Sequence, residues 1–276
     1  MKDFMIYSML CLVLVDEGVA EPAQPASLRF FLPVVCAYLL ACGGWIALAK
    51  LKLVGRPRTP FPISAKPWLD LGLGGIAVVG ILVLGCAFRS GWLLPRGPGS
   101  LSTIYWTLNN LIIFSPVFIV VAVRRQGLET LLLPRDGVLR DAVAGIALGV
   151  ASAVLYLGLR GEVAKLPAVL SGVVDPKNVA NFVPVFLEGV GLAFLFVRIR
   201  WAIGHRPALL ISGFLFAAAH IPRQMAASSP LGTIIAFFIL NMLLVPAILH
   251  VTFLSRSILW IGMVHYVLDV ATRAFE

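Results

Sequence analysis

Eight stretches of this chain are apolar for long enough, or nearly long enough, to cross a bilayer, and nothing else in it constrains the fold as much. A hydrocarbon core ~30 Å thick needs about 20 helical residues. The runs lie at about 30–49, 68–88, 101–123, 141–159, 179–197, 207–222, 231–254 and 258–272. The sixth and eighth are short, as befits helices crowded inside a bundle or meeting the bilayer at a tilt. Backbone groups in lipid must be satisfied internally, which leaves only helices and closed barrels. The runs are continuously apolar, not alternating, and that excludes a barrel. Composition agrees: 60% of the residues are hydrophobic and only 13% charged, against about 25% charged in soluble domains. The fold class expected is all-α, a polytopic integral membrane helix bundle of about eight transmembrane helices.

Residues 1–27 form an N-terminal extension, and 28–122 hold the first group of transmembrane helices. Within the extension, "FMIYSMLCLVLV" (4–15) is too short to span comfortably and resembles a signal-peptide core or an interfacial helix. Two polar connectors are longer than the rest. "KLKLVGRPRTPFPISAKP" (50–67) is rich in proline, and "RGEVAKLPAVLSGVVDPKN" (160–178) has room for a short interfacial helix. No internal repeat of the kind common in secondary transporters is present.

The cations fix the orientation. Lys50, Lys52, Arg56, Arg58, Lys66, Arg124, Arg125, Arg135, Arg140, Arg198, Arg200, Arg206 and Arg256 fall on one side, thirteen in all. The other side carries eight: Arg29, Arg89, Arg96, Arg160, Lys165, Lys177, Arg223 and Arg273. By the positive-inside rule the richer side is cytoplasmic. The formal net charge of +9 is then a topology signal and a match to anionic lipid. No nucleic-acid partner is expected, because no basic patch is interleaved with aromatic residues. Cys11, Cys36, Cys42 and Cys86 all sit in apolar runs without ligand spacing and read as apolar filler, with no disulfide framework.

Polar residues inside the runs are the exceptions that call for a reason. Of thirteen acids, only Glu188 and Asp269 lie well within apolar sequence. His220, His250 and His265 lie in such runs or at their ends. An ionisable group in a span costs several kcal/mol unless compensated, about 3 kcal/mol on insertion scales, so it points to function by default. At ~1.5 Å per residue, Glu188, His220, His265 and Asp269 all come to the middle band of the membrane. His265 and Asp269 are one helical turn apart on one face, where a carboxylate can fix the imidazole tautomer. In "FAAAH" (216–220), Phe216 sits one turn before His220, with three alanines between them that admit a close neighbour. Gly189 and Gly191 open space beside Glu188. A glutamate with two histidines in an apolar cavity can hold and deprotonate a water, directly or through a metal. The ordinary alternative for a single intramembrane histidine is a helix–helix hydrogen bond, and His250 is read that way. Asn109, Asn110 and Asn241 are also read as interhelical links, Asn241 with the further option of lining the cavity.

Other intramembrane protease signatures are missing: there is no HExxH and no GxGD, and "LISG" (210–213) lacks the first glycine of GxSG. "FAAAH" and "HYVLD" (265–269), in this order, resemble the FxxxH and HxxxN/D motifs of the CPBP family. These are the CAAX-protease and bacteriocin-processing (Abi-type) intramembrane proteases. "VRRQGLETLLLPRDGVLRDAVAGIALG" (123–149) and "FLSRSILWIGMVHYVLD" (253–269) are similar to the family's flanking sequence, so the resemblance marks 123–276 as the catalytic core. The family's first motif, EExxxR, is reduced here. Glu188 stands alone, with Leu187 in place of the first glutamate or Gly189 in place of the second. The motif's arginine falls on Leu192 or Ala193.

The resemblance implies an intramembrane endopeptidase acting on a peptide or membrane-protein substrate. Glu188 would be the base. His220 and His265 would position the water or bind a divalent metal, zinc being the one expected. Asp269 would orient His265, and Phe216, Gly189 and Asn241 would line the cavity. The eroded first motif also admits a catalytically inactive membrane scaffold or immunity protein. A small proton-coupled transporter is a third reading of the same residues. Oligomeric state is not legible in the sequence.

Overall fold

The computed structural model describes residues 28–54, 60–94, 101–226 and 231–274. The signal-like segment at 4–15 lies outside them. Among the described residues the chain forms nine α-helices and no strands. They are α1 (Leu28–Lys50), α2 (Pro67–Arg89), α3 (Leu101–Val123), α4 (Val138–Leu159), α5 (Leu166–Val174), α6 (Pro176–Ile203), α7 (His205–Ala226), α8 (Leu231–Ser255) and α9 (Leu259–Arg273). Each of the eight apolar runs coincides with one long helix. Six of these, α1, α2, α3, α4, α6 and α8, are long and apolar enough to cross a membrane. The chain is thus a polytopic, membrane-embedded helix bundle. Large apolar side chains stay exposed along the outer faces, among them Leu39, Ile76, Ile119, Val143, Leu210 and Leu243. In water so much exposed apolar surface would drive association, whereas in lipid it is the expected outer coat.

The bundle is held by close backbone approaches rather than by a greasy core alone. α4 and α9 run parallel and nearly touch. A Cβ placed on Gly145 would lie 2.6 Å from the Trp260 carbonyl oxygen, and one on Gly149 2.9 Å from Val267 Cβ. The spacing GIALG (145–149) is the small-xxx-small pattern by which helices in lipid gain dispersion contact. Trp260 also stacks on Trp45 of α1, with centroids 4.8 Å apart and planes at 16°. Ser152 of α4 donates to the Ala37 carbonyl of α1 at 2.9 Å.

The connector at 160–178 does carry a short helix, α5, on the sparsely charged side. The Tyr266 hydroxyl anchors it, donating to the Val173 carbonyl at 2.8 Å. On the basic side, the Asp70 carboxylate is fully buried and accepts from Arg124 Nε at 2.7 Å and from the Ser64 hydroxyl. Arg198 is also fully buried. It donates to the Thr130 carbonyl at 3.0 Å and to the Gln126 side chain, and its guanidinium lies 3.7 Å from the Phe194 ring centroid. This arginine pins the inner end of α6 to the turn after α3, well away from Glu188.

Three minor expectations change. Asn109 does not link two helices: it exchanges two hydrogen bonds at 3.1 Å with the backbone of Leu94 in the α2–α3 connector. Asn110 and Asn241 donate one turn back along their own helices, to Trp106 and Phe237. Cys36 and Cys42 are free thiols, but Cys86 is disulfide-bonded and is not mere filler.

Candidate functional site

α6 and α7 form an antiparallel hairpin that brings Glu188 to His220. Glu188 Oε1 lies 3.4 Å from His220 Nε2. The other ring nitrogen, Nδ1, is 2.9 Å from the Phe216 carbonyl oxygen one turn back. A carbonyl only accepts, so Nδ1 carries a proton; Nε2 then turns a lone pair to the carboxylate when the ring is neutral and an N–H when it is protonated. The Phe216 ring packs on the imidazole with centroids 4.4 Å apart, and Phe237 of α8 closes in at 5.9 Å. The first residue of FxxxH therefore holds the last one twice, by its carbonyl and by its ring.

A carboxylate and an imidazole lone pair are both acceptors. At 3.4 Å they stand too close for a water between them, and a water that donates to the carboxylate sits beside the pair. The Glu188 side chain is 38% exposed, so the pair is open to a reactant. Pro184, inside α6 and one turn before Glu188, leaves a backbone carbonyl of that turn without its helical donor.

The second pair behaves differently. Phe182 packs on Tyr266 at 5.7 Å, a Cβ on Gly262 would meet the Phe186 ring at 3.0 Å, and one on Gly189 would meet Ile258 at 3.6 Å. This antiparallel register of α6 and α9 sets Glu188 level with about residue 260, so His265 lies ~7 Å further along the bundle axis. A Cβ at Gly189 would thus stand at ordinary contact distance from Ile258. Asp269 does not hydrogen-bond to His265 among the described residues. Its carboxylate pairs at 2.8 Å with Arg273, one turn on. A guanidinium fork is a stronger partner for a carboxylate than a neutral imidazole.

His265 instead meets Tyr38 of α1, edge to face, with centroids 6.0 Å apart at 75°. The Tyr38 hydroxyl is within electrostatic reach of both Asp269 and Glu188. This brings a phenol of α1 into the neighbourhood of both carboxylates. Nothing local in α1 marks it in the sequence; a phenol in an apolar run is ordinary until α9 packs against it. Asn241 belongs to α8, and its amide is spent on its own helix. His250 makes the interhelical link expected of it, with Nδ1 3.0 Å from His205 Nε2.

The donor set was tested against a metal. Among the described residues, no group of three or more His, Cys, Asp or Glu side chains converges as metal ligands. Glu188 and His220 supply two ligands, where a catalytic zinc ordinarily has three from protein. The residues do not fit a zinc centre in this arrangement, and no chemical step below passes through one.

No protein-family model matches the chain, nor does any curated protein or solved structure. The CPBP resemblance thus rests on the short motifs around Phe216, His220, His265 and Asp269.

Proposed function

We propose that this chain is an intramembrane endopeptidase of the CPBP type that hydrolyses a peptide bond by a glutamate-activated water. The observation that carries the reading is the Glu188–His220 pair, 3.4 Å apart with Nδ1 already committed to a carbonyl. Water bound beside this pair gives one proton to the Glu188 carboxylate, and its oxygen attacks the scissile carbonyl carbon. The carbonyl π pair moves onto oxygen. Collapse of this tetrahedral intermediate breaks the C–N bond, and the Glu188 carboxylic acid returns its proton to the leaving amine. His220 orients the water. Tyr38, with a hydroxyl facing the same space, is placed to donate to the developing oxyanion. His265 packs Tyr38 from the side, and Asp269 with Arg273 closes the outer end.

The substrate class is a membrane protein or peptide that reaches the pair from within the bilayer. The location proposed is a cell membrane, namely a bacterial inner membrane with the basic face toward the cytoplasm. The test is proteolysis in reconstituted vesicles. Membrane proteins are incubated with wild type or with Glu188→Gln, and new peptide termini are identified by mass spectrometry. Termini made by wild type and missing with the variant support the reading. Identical termini from both, or none from either, refute it.

A further inference from the structure

A second polar cluster occupies the basic end of the bundle. Arg200 is in the last turn of α6, His205 opens α7, His250 is late in α8, and Arg256 lies in the α8–α9 connector. His205 Nε2 and His250 Nδ1 are 3.0 Å apart. The Arg200 guanidinium lies 4.4 Å from the Phe253 ring centroid and 5.4 Å from that of Phe61, and Arg256 lies 5.3 Å from Phe61. Two guanidinium groups thus share the same phenylalanine ring, whose quadrupole attracts both.

The acids that charge neutrality would want here are engaged elsewhere. Asp70 pairs with Arg124, Glu129 with Arg135 and Asp141 with Arg140. Among the described residues no carboxylate pairs with Arg200, His205 or His250. Arg200 Nε and His205 Nδ1 are buried without any hydrogen-bond partner. Buried polar groups are nearly always satisfied, and Arg200 Nε–H can only donate, so the cluster points to a missing acceptor, to which His205 Nδ1 also donates when Nε2 accepts from His250. Burial first, then His250 and Arg200, hold the His205 imidazole below the usual histidine range, as expected of a ring crowded by uncompensated positive charge.

We infer that this cluster binds the phosphate of an anionic membrane lipid headgroup. The candidate spans in α6 and α8 end at Ile203 and Ser255, so Arg200 and His250 lie in their last turns at the basic end, with His205 and Arg256 just beyond. Ile203 and Leu254 beside it are exposed and offer an apolar wall for the acyl chains. A guanidinium with a free Nε and an imidazole is a fitting donor set for a phosphate diester. The cluster lies ~18 Å along α6 from Glu188 and does not depend on the chemistry there.

The full chain in neutral detergent is titrated with short-chain phosphatidylglycerol, short-chain phosphatidylcholine and inorganic phosphate, and binding is read by calorimetry. Phosphatidylglycerol is expected to bind saturably, phosphatidylcholine not at all, and inorganic phosphate far more weakly. Arg200→Gln and His205→Ala are each expected to weaken phosphatidylglycerol at least about fivefold. Arg206→Gln, an exposed basic neighbour, should leave it unchanged. If Arg200→Gln does not fold, His205→Ala decides. Equal binding of the two lipids, or wild-type affinity in the folded cluster variants, overturns the proposal. Inorganic phosphate binding as tightly as phosphatidylglycerol would assign the cluster to a soluble phosphate and overturn the lipid source.

Discussion

Glu188 and His220 meet at 3.4 Å across the α6–α7 hairpin, and the imidazole is locked in one tautomer by the Phe216 carbonyl. A water beside the pair can donate to the Glu188 carboxylate while His220 orients it. On this account Glu188 acts through that water, and the groups around it serve to hold its partners still.

Tyr38 is the first of these groups to test. Its hydroxyl reaches toward Glu188 and Asp269, and its ring packs on His265. Tyr38→Phe removes only an oxygen. A hydrogen bond to a charged or charging group is worth about 1.5–3 kcal/mol, so kcat should fall about ten- to a hundredfold. KM and the unfolding temperature should hardly move. Full activity in Tyr38→Phe would remove the phenol from the site.

The α4–α9 contact should govern stability. Gly145→Leu would drive a side chain into the Trp260 backbone and should cost about 1–3 kcal/mol, read as a lower unfolding midpoint in detergent. Gly72→Leu on α2 is the matched control, because a Cβ there meets nothing within 4 Å. Equal midpoints for the two variants would contradict the packing described.

Asp70 predicts an asymmetry. Its carboxylate is fully buried, while the Arg124 side chain is 26% exposed. Arg124→Ala leaves a buried anion with the Ser64 hydroxyl and only the more distant charge of Arg198, and should destabilise by about 3 kcal/mol. Adding Asp70→Asn to that variant should recover part of the loss, because no charge is then stranded. A double variant worse than the single one would show that the ion pair is not the source of the effect.

Metal removal should change little. Two converging ligands do not make a zinc site, so prolonged chelation should leave both cleavage and the unfolding temperature where they were. Near-stoichiometric zinc in the purified protein, lost together with activity on chelation, would reverse this part of the account and restore the metal reading of His220 and His265.

The helices were legible in the sequence because each apolar run must be a helix in lipid, whatever its neighbours do. Seven of the eight runs fall within a helix, as 30–49 does inside Leu28–Lys50, and 258–272 matches Leu259–Arg273 to one residue at each end. The Glu188–His220 pair was partly legible, since both residues are expensive in a span and their depths agree. What depends on helix rotation was not. Asp269 and His265 share a helical face, yet the carboxylate has a second neighbour at the same spacing on its other side, Arg273, and a cation wins. Tyr38 carries no local mark, and its place is set by α9, held against α4 at Gly145 and Gly149. That GxxxG spacing was present in the chain, and it is the signal that would have placed α9 in advance.

A double-mutant cycle on cleavage tests the central claim most directly. Rates are compared for wild type, Glu188→Gln, His220→Asn and the double variant, on whichever substrate the terminus analysis identifies. If the two side chains act as one unit on one water, each single change should cost about 10²–10⁴-fold, and the double variant should lose scarcely more than either alone. Wild-type cleavage by either single variant, or losses that multiply in the double, would contradict the shared-water account.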